Sequence, residues 1–293
     1  MQKSKIVATN GAWRATRRDH AVLAVECDNV GAGWRQRFAI ISDAHFDNPF
    51  CDRQLLKSHL EQAKQDDAGI ILLGDWFDAM QSRDDPRRSA SSMKPEYMID
   101  YLDTILDESV EWLKPYARNI LFISEGNHES AVRRKLQTNL VKRLARGLSV
   151  HAMPYSGWVQ FSFSSGDGDK KRARTRLNVY YHHGSGGGGP VTRGTIGTNR
   201  RSAILSNVHA VLTGHIHESW VVWVPQVAIS DYGKIYRFEQ LHLQSSTYKR
   251  EFDEYEDYHT ERGRGPKPIG GSWLTFWYEN SVRGRIRYDG GRI

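Results

Sequence analysis

Five times in this 293-residue chain a short apolar run ends in residues that bind metals, and no bulk property constrains the fold as tightly. Phe38-Ala39-Ile40-Ile41 leads into Ser42-Asp43-Ala44-His45, and Ile70-Ile71-Leu72-Leu73 into Gly74-Asp75-Trp76-Phe77-Asp78. Ile120-Leu121-Phe122-Ile123 precedes Gly126-Asn127-His128-Glu129, and Val179-Tyr180-Tyr181 precedes His182-His183-Gly184. Val208-His209-Ala210-Val211-Leu212 precedes Gly214-His215-Ile216-His217. Continuous apolar runs of this length, bounded by Gly and polar residues, suit strands buried on both faces. Open α/β sheets deliver ligands at the carboxyl ends of such strands. Asp, His and Asn gathered there can hold two divalent cations.

Between the runs, Leu55, Leu56, His59, Leu60 and Ala63 mark one face of a helix. That helix makes a right-handed βαβ unit the default connection to the next strand. Residues 82–95 read as a polar surface loop. A second helix carries Tyr97, Tyr101, Ile105 and Trp112, and a third, after His128, carries Val132, Leu136, Leu140 and Leu144 with a basic outer face. From about 150 onward the pattern becomes β-rich, with strands expected at 159–163, 220–224, 234–243 and 273–278. Residues 184–197 form a glycine loop beside a candidate ligand, and 248–268 are charged and aromatic without a period. The expected organisation is a β-rich addition over 1–36, with its strand at 21–25, and one larger domain over 37–293. That domain holds the motifs in 43–217 and a β-rich part in 218–293.

No apolar stretch approaches the ~20 residues of a membrane span, and the first residues lack a signal-peptide centre. Two cysteines, Cys27 and Cys51, imply no disulfide framework and fit a reducing cytoplasm. The net charge of +7 is concentrated in runs at 14–18, 133–135, 142–146, 170–176, 262–267 and 283–287, which favours a polyanionic partner.

The ordered set D-x-H, G-D-x-x-D, G-N-H-E, H and G-H-x-H, running from Asp43 to His217, resembles the calcineurin-like metallophosphoesterase superfamily. Each motif alone is weak, but five in order at strand ends are specific. The resemblance implies a four-layer α/β/β/α sandwich of two mixed sheets. It also implies one metal on Asp43, His45, Asp75 and His217, and a second on Asp75, Asn127, His215 and one of His182 or His183. Successive strand residues face opposite sides, so only one of that pair can point at the metals; His183, directly before the glycine turn, is preferred. Manganese is the first choice, with iron or zinc as alternatives, since this N/O donor set does not select among them. Two such ions would acidify a bridging water, orient the phosphate and neutralise its charge.

By the same resemblance His128 is no ligand: it reaches the leaving-group oxygen, and Asp78 hydrogen-bonds it and favours its protonated form. The superfamily's protein Ser/Thr phosphatases carry Arg after G-D-x-x-D, where this chain has Ala79. Arg83, Arg133, Arg193 or Arg200 are the candidate substitutes. The leading functional expectation is a phosphodiesterase acting on DNA or RNA, similar to SbcD-type repair nucleases or to phage- or plasmid-type phosphoesterases. Basic and aromatic residues interleave at Tyr248-Lys249-Arg250 and Arg285-Ile286-Arg287-Tyr288, a pairing that can stack bases and contact phosphates. The alternative is a phosphomonoesterase or small-nucleotide phosphodiesterase.

Overall fold

All five apolar runs become strands, parallel within each of two sheets, whose carboxyl ends turn toward one place. The computed structural model describes residues 7–9, 12–80, 97, 99–165, 172–187, 189, 191–230, 232–251, 265–280 and 285–293. The expected loop at 82–95, Arg83, most of the turn and basic run at 166–171, and Arg262 and Arg283 lie outside them.

The six-stranded sheet has β4 (Arg35–Ile41), β5 (Gly69–Leu73), β6 (Ile120–Ser124) and β7 (His151–Met153) parallel, extended by antiparallel β13 (Ser272–Glu279) and β14 (Arg285–Arg292). The eight-stranded sheet begins with β1 (Val7–Thr9), β2 (Arg14–Asp19) and β3 (Val22–Cys27). It continues through β8 (Ser156–Ser165), β9 (Arg172–His182), β10 (Ala210–Thr213), β12 (Ile235–Gln244) and β11 (Trp220–Ile229). Both sheets are mixed, as the resemblance implies.

Side-chain alternation divides the core in two. Phe38, Ile40, Ile71 and Leu73 point between the sheets, where they meet Val159, Phe161, Val179, Leu212 and Leu243. Ala39, Ile41, Ile70 and Leu72 point outward against Leu56 and Leu60 of α1 (Arg53–Gln65), Ile105 and Leu113 of α2 (Tyr101–Leu113), and Leu140 and Leu144 of α4 (Leu140–Leu148). β4, β5 and β6 therefore need apolar residues on both faces, which is why they read as continuous runs. Each buried Ile, Leu, Val or Phe among them contributes roughly 1.5–3 kcal/mol. On the other sheet, α5 (Ile196–Ile204) packs against β11. The N-terminal strands join this sheet, and Trp13, Leu23 and Val25 are buried between the sheets.

Three local expectations are corrected. The helix expected over Val132 to Leu144 is two helices, α3 (Asn127–Leu136) and α4. Gln137 takes a left-handed φ of 54°, and the Asn139 side chain accepts from Lys142 N at 2.8 Å, capping a new helix. Tyr97 precedes α2 instead of lying on it. β9 alternates buried Val179 and Tyr181 with half-buried Tyr180, so it is not covered on both faces.

Candidate metal centre

The carboxyl ends of β4, β5 and β6 abut those of β9 and β10, and the first residues beyond them fill the junction. Asp43, His45, Asp75, Asp78, His128 and His183 are buried there. The loops after β4 and β5 are stitched together by Asp43 N to Gly74 O (3.1 Å), His45 N to Asp75 O (3.1 Å) and Phe46 N to Trp76 O (2.7 Å). The Phe46 and Trp76 rings stack at 5.1 Å, and the Arg53 guanidinium lies 3.8 Å from the Phe46 ring centroid.

This junction holds the backbone in conformations that L-residues avoid. Asp43 (φ 51°), His45 (45°), Asp75 (48°), His215 (75°) and His217 (53°) all lie in the left-handed region. Each costs about 1–2 kcal/mol, and strain concentrated on one set of polar residues marks a functional site. Two glycines are required by close approach. A Cβ on Gly126 would stand 2.1 Å from Asp75 Oδ1, and one on Gly214 would stand 1.9 Å from Ser42 Oγ.

Two groups of donors result. In the first, His217 Nε2 lies 3.3 Å from Asp43 Oδ1 and 3.4 Å from His45 Nε2. In the second, His183 Nε2 lies 3.1 Å from both Asp75 Oδ2 and Asn127 Oδ1, and His215 Nδ1 lies 2.7 Å from the same Asn127 oxygen. The groups adjoin, because His183 Nε2 is also 3.8 Å from Asp43 Oδ1. Each carboxylate has one oxygen held by main chain: Asp43 Oδ2 accepts from His215 N at 2.9 Å, and Asp75 Oδ1 from His128 N at 2.9 Å. The other oxygen of each faces the imidazoles.

The donors fit cations on three counts. Asp43 Oδ1 is buried and accepts no hydrogen bond. His217 Nδ1 faces Glu251 Oε1 at 2.5 Å, and His45 Nδ1 lies 2.9 Å from Asp78 Oδ1, close though poorly aligned. Those carboxylates oppose Nδ1 and leave the two Nε2 atoms facing each other at 3.4 Å, where a shared cation can take the place of a proton. The mixed N/O donor set suits borderline divalent ions.

The electrostatics agree. Burial opposes ionisation of Asp43 and Asp75, but the facing imidazoles, His183 foremost, hold both below the usual carboxylate range. Burial likewise opposes charge on His183, yet Asp75 and Asp43 raise it to about 10. Glu251 and Asp43 do the same for His217, also to about 10. The field that retains a proton on these rings is one that attracts a cation.

The structure separates His182 from this cluster. Its Nδ1 accepts from Gly184 N at 2.9 Å, and burial with nearby Arg201 lowers it to about 4. The expected contact between Asp78 and His128 also needs correction. His128 Nδ1 meets the Asp78 main-chain oxygen at 2.5 Å, whereas the Asp78 carboxylate goes to His45 and accepts from Asn48 Nδ2 at 3.0 Å. Burial outweighs Asp75 and Asp78 and lowers the His128 pKa, so the protonated form is disfavoured. Among the candidate arginines, Arg133 is tied to Glu125 at 2.8 Å. Arg200 is exposed on α5.

Several residues outside the motif ligands organise the centre. Glu129 accepts from Asp75 N (3.1 Å), Phe77 N (3.0 Å) and Gly126 N (2.8 Å), and burial and Asp75 raise it to about 8. Asp47 accepts from Asp78 N at 2.6 Å and Ala79 N at 3.0 Å. The stretch after β12 reaches in from outside the motifs: Thr247 Oγ1 donates to Asp43 O at 2.7 Å, and Lys249 and Glu251 meet Asp78 and His217.

Residues 36–219 match the family model described as calcineurin-like phosphoesterase. No curated protein matches the chain. Among solved structures the chain is similar to Thermotoga maritima protein TM1076, at 15% identity and TM-score 0.34, covering 88% of this chain and 99% of that one. It is similar to Chaetomium thermophilum Vps29 at 8% identity and TM-score 0.36, covering 88% and 95%. It is also similar to Plasmodium GAP50, at 12% identity and TM-score 0.39, covering 87% and 84%.

Proposed function

The chain belongs to the calcineurin-like phosphoesterase family, and from that premise we propose that it cleaves phosphodiester bonds in nucleic acid with two divalent cations, manganese foremost. The observation that carries the hydrolase reading is the adjoining of the two donor groups, linked through Asp43 Oδ1 and His183 Nε2 at 3.8 Å. In this reading Asp43, His45 and His217 with Asp75 hold one cation, and Asp75, Asn127, His183 and His215 hold the other. The ions supply Lewis acidity, which acidifies water and neutralises phosphoryl charge.

The protein's own groups do the rest. His128 keeps one proton on Nδ1 against the Asp78 main-chain oxygen and turns Nε2 toward Asp75 Oδ2, 3.8 Å away. A proton carried on Nε2 is held weakly, because burial disfavours the imidazolium, and so passes readily to a leaving oxygen. Asp78 fixes His45, and Glu129 fixes the turn that carries Asp75. Residues 1–36 then form an addition to one phosphoesterase domain over 37–293.

Three features favour a nucleic-acid diester similar to the substrates of SbcD-type nucleases. Ala79 removes the arginine of the protein-phosphatase subgroup. α3 starts within the centre at Asn127 and ends in exposed Arg134 and Lys135, roughly 10 Å along its axis. The chain carries a net charge of +7. The test compares a nitrophenyl monoester, a nitrophenyl diester, and single- and double-stranded DNA and RNA under manganese. Diester and nucleic-acid cleavage should exceed monoester hydrolysis. Brisk monoester turnover with intact nucleic acid would hand the assignment to a phosphomonoesterase.

A further inference from the structure

Lys249 lies outside the five motifs and outside the matched residues 36–219, yet its ammonium enters the centre. Two main-chain bonds clamp it, Asp52 N to Tyr248 O at 2.7 Å and Arg250 N to Phe50 O at 2.9 Å. Lys249 N also donates to Thr247 Oγ1 at 3.0 Å. This clamp sends successive side chains to opposite sides: Tyr248 is fully buried and Arg250 exposed, while Lys249 turns toward Asp78. Its side chain is only 19% exposed, and Nζ stands 3.6 Å from Asp78 Oδ1.

That distance exceeds a hydrogen bond, and among the described residues the ammonium donates none. Asp78 divides its carboxylate: Oδ2 accepts from Asn48 at 3.0 Å, while Oδ1 accepts no aligned hydrogen bond and lies between His45 Nδ1 at 2.9 Å and the ammonium at 3.6 Å. A lysine four-fifths buried, paired with Asp78 but making no ammonium hydrogen bond among the described residues, is a cation that can take a further acceptor at the edge of the site. His45, Asp78 and His128 place their polar atoms within 4.8 Å of one another, so Lys249 stands on the His128 side of the centre.

We propose that Lys249 is the phosphate-binding cation of this centre, supplying from the segment after β12 the charge that Ala79 lacks. The inference rests on the phosphoesterase reading and adds to it a residue that grips a phosphoryl oxygen. A flexible ammonium gives one point contact where a guanidinium would give a fork. Asp78 balances its charge, so the ammonium does not repel cations held by His45.

The test uses the full chain loaded with manganese and titrated with inorganic phosphate by calorimetry. Wild type should bind phosphate. Lys249→Met should weaken binding ten- to a hundredfold, the span of a charge-assisted hydrogen bond. Bound manganese and melting temperature should stay unchanged, and Lys249→Arg should restore affinity to within a few-fold. Diester hydrolysis should show the same loss mainly in KM. Equal phosphate affinity for wild type and Lys249→Met overturns the proposal and leaves the phosphoesterase reading standing. Loss of manganese or of thermal stability in both variants also overturns it, since Lys249 would then be structural. A manganese-loaded wild type that neither binds phosphate nor hydrolyses any ester defeats the reading itself.

Discussion

The two donor groups of the centre use similar residues and back them differently. His45 and His217 in the first group rest on carboxylates, Asp78 at 2.9 Å and Glu251 at 2.5 Å. His183 in the second rests on the neutral Leu73 carbonyl, which accepts from Nδ1 at 2.9 Å. The second group also contains the neutral Asn127. Carboxylate backing raises the basicity of an imidazole and fixes its orientation. The first group is therefore the more anionic, and its cation should be the harder to remove. On the proposed two-cation reading, the centre would keep one ion firmly while exchanging the other.

The largest effect should come from Asp75, which the proposed reading shares between the two cations. Asp75→Asn should lose both ions and lower turnover roughly a thousandfold or more, the several kcal/mol that such ions supply. Metal analysis and diester kinetics on one sample check this; full retention of both ions would break the shared assignment. His128 belongs to neither group. His128→Ala should keep both ions and lose ~10²–10⁴-fold in turnover, with a smaller loss for nitrophenolate leaving groups. Equal losses for good and poor leaving groups would remove His128 from the leaving-group side.

Glu251→Gln sharpens the contrast itself. It should weaken manganese affinity about 10–100-fold for one ion and leave the other as in wild type. A uniform weakening of both would show that backing does not distinguish the groups.

The pH dependence is the smallest effect expected. Without metal, His183 and His217 have pKa values raised to about 10, so near neutrality both carry protons that a cation must displace. Manganese affinity should rise between pH 6 and 9, about tenfold per unit for each proton released. The sign for the metal-free fold is opposite. Raised imidazoles stabilise it fully below their ordinary value of 6.5, and this contribution fades as pH climbs toward about 10. Affinity that is flat with pH would contradict both statements.

The strands of the centre were legible because burial on both faces writes apolar runs, and ligands at strand ends come with glycines that the packing requires. Strand alternation allowed only one of His182 and His183 to face the centre, and the glycine turn favoured His183, whose Nε2 lies 3.1 Å from Asp75 Oδ2. The contact of His128 with the Asp78 main chain was not legible, because a carbonyl leaves no mark on residue identity. Glu251 was hidden for a different reason, and Lys249 was legible only within a basic and aromatic pairing, with nothing to tie it to the centre. They sit in an aperiodic charged stretch, and only the clamp to residues 50–52 brings them to the centre. The break at Gln137 was masked by leucines that keep helical spacing across two helices.

The most direct measurement is a manganese titration of the metal-free protein, with bound ions counted by equilibrium dialysis and diester hydrolysis followed in the same samples. Two ions should bind per chain, the first more tightly, with hydrolysis appearing only as the second binds. Saturation at a single ion, or full hydrolysis before the second is bound, would contradict the two-cation centre.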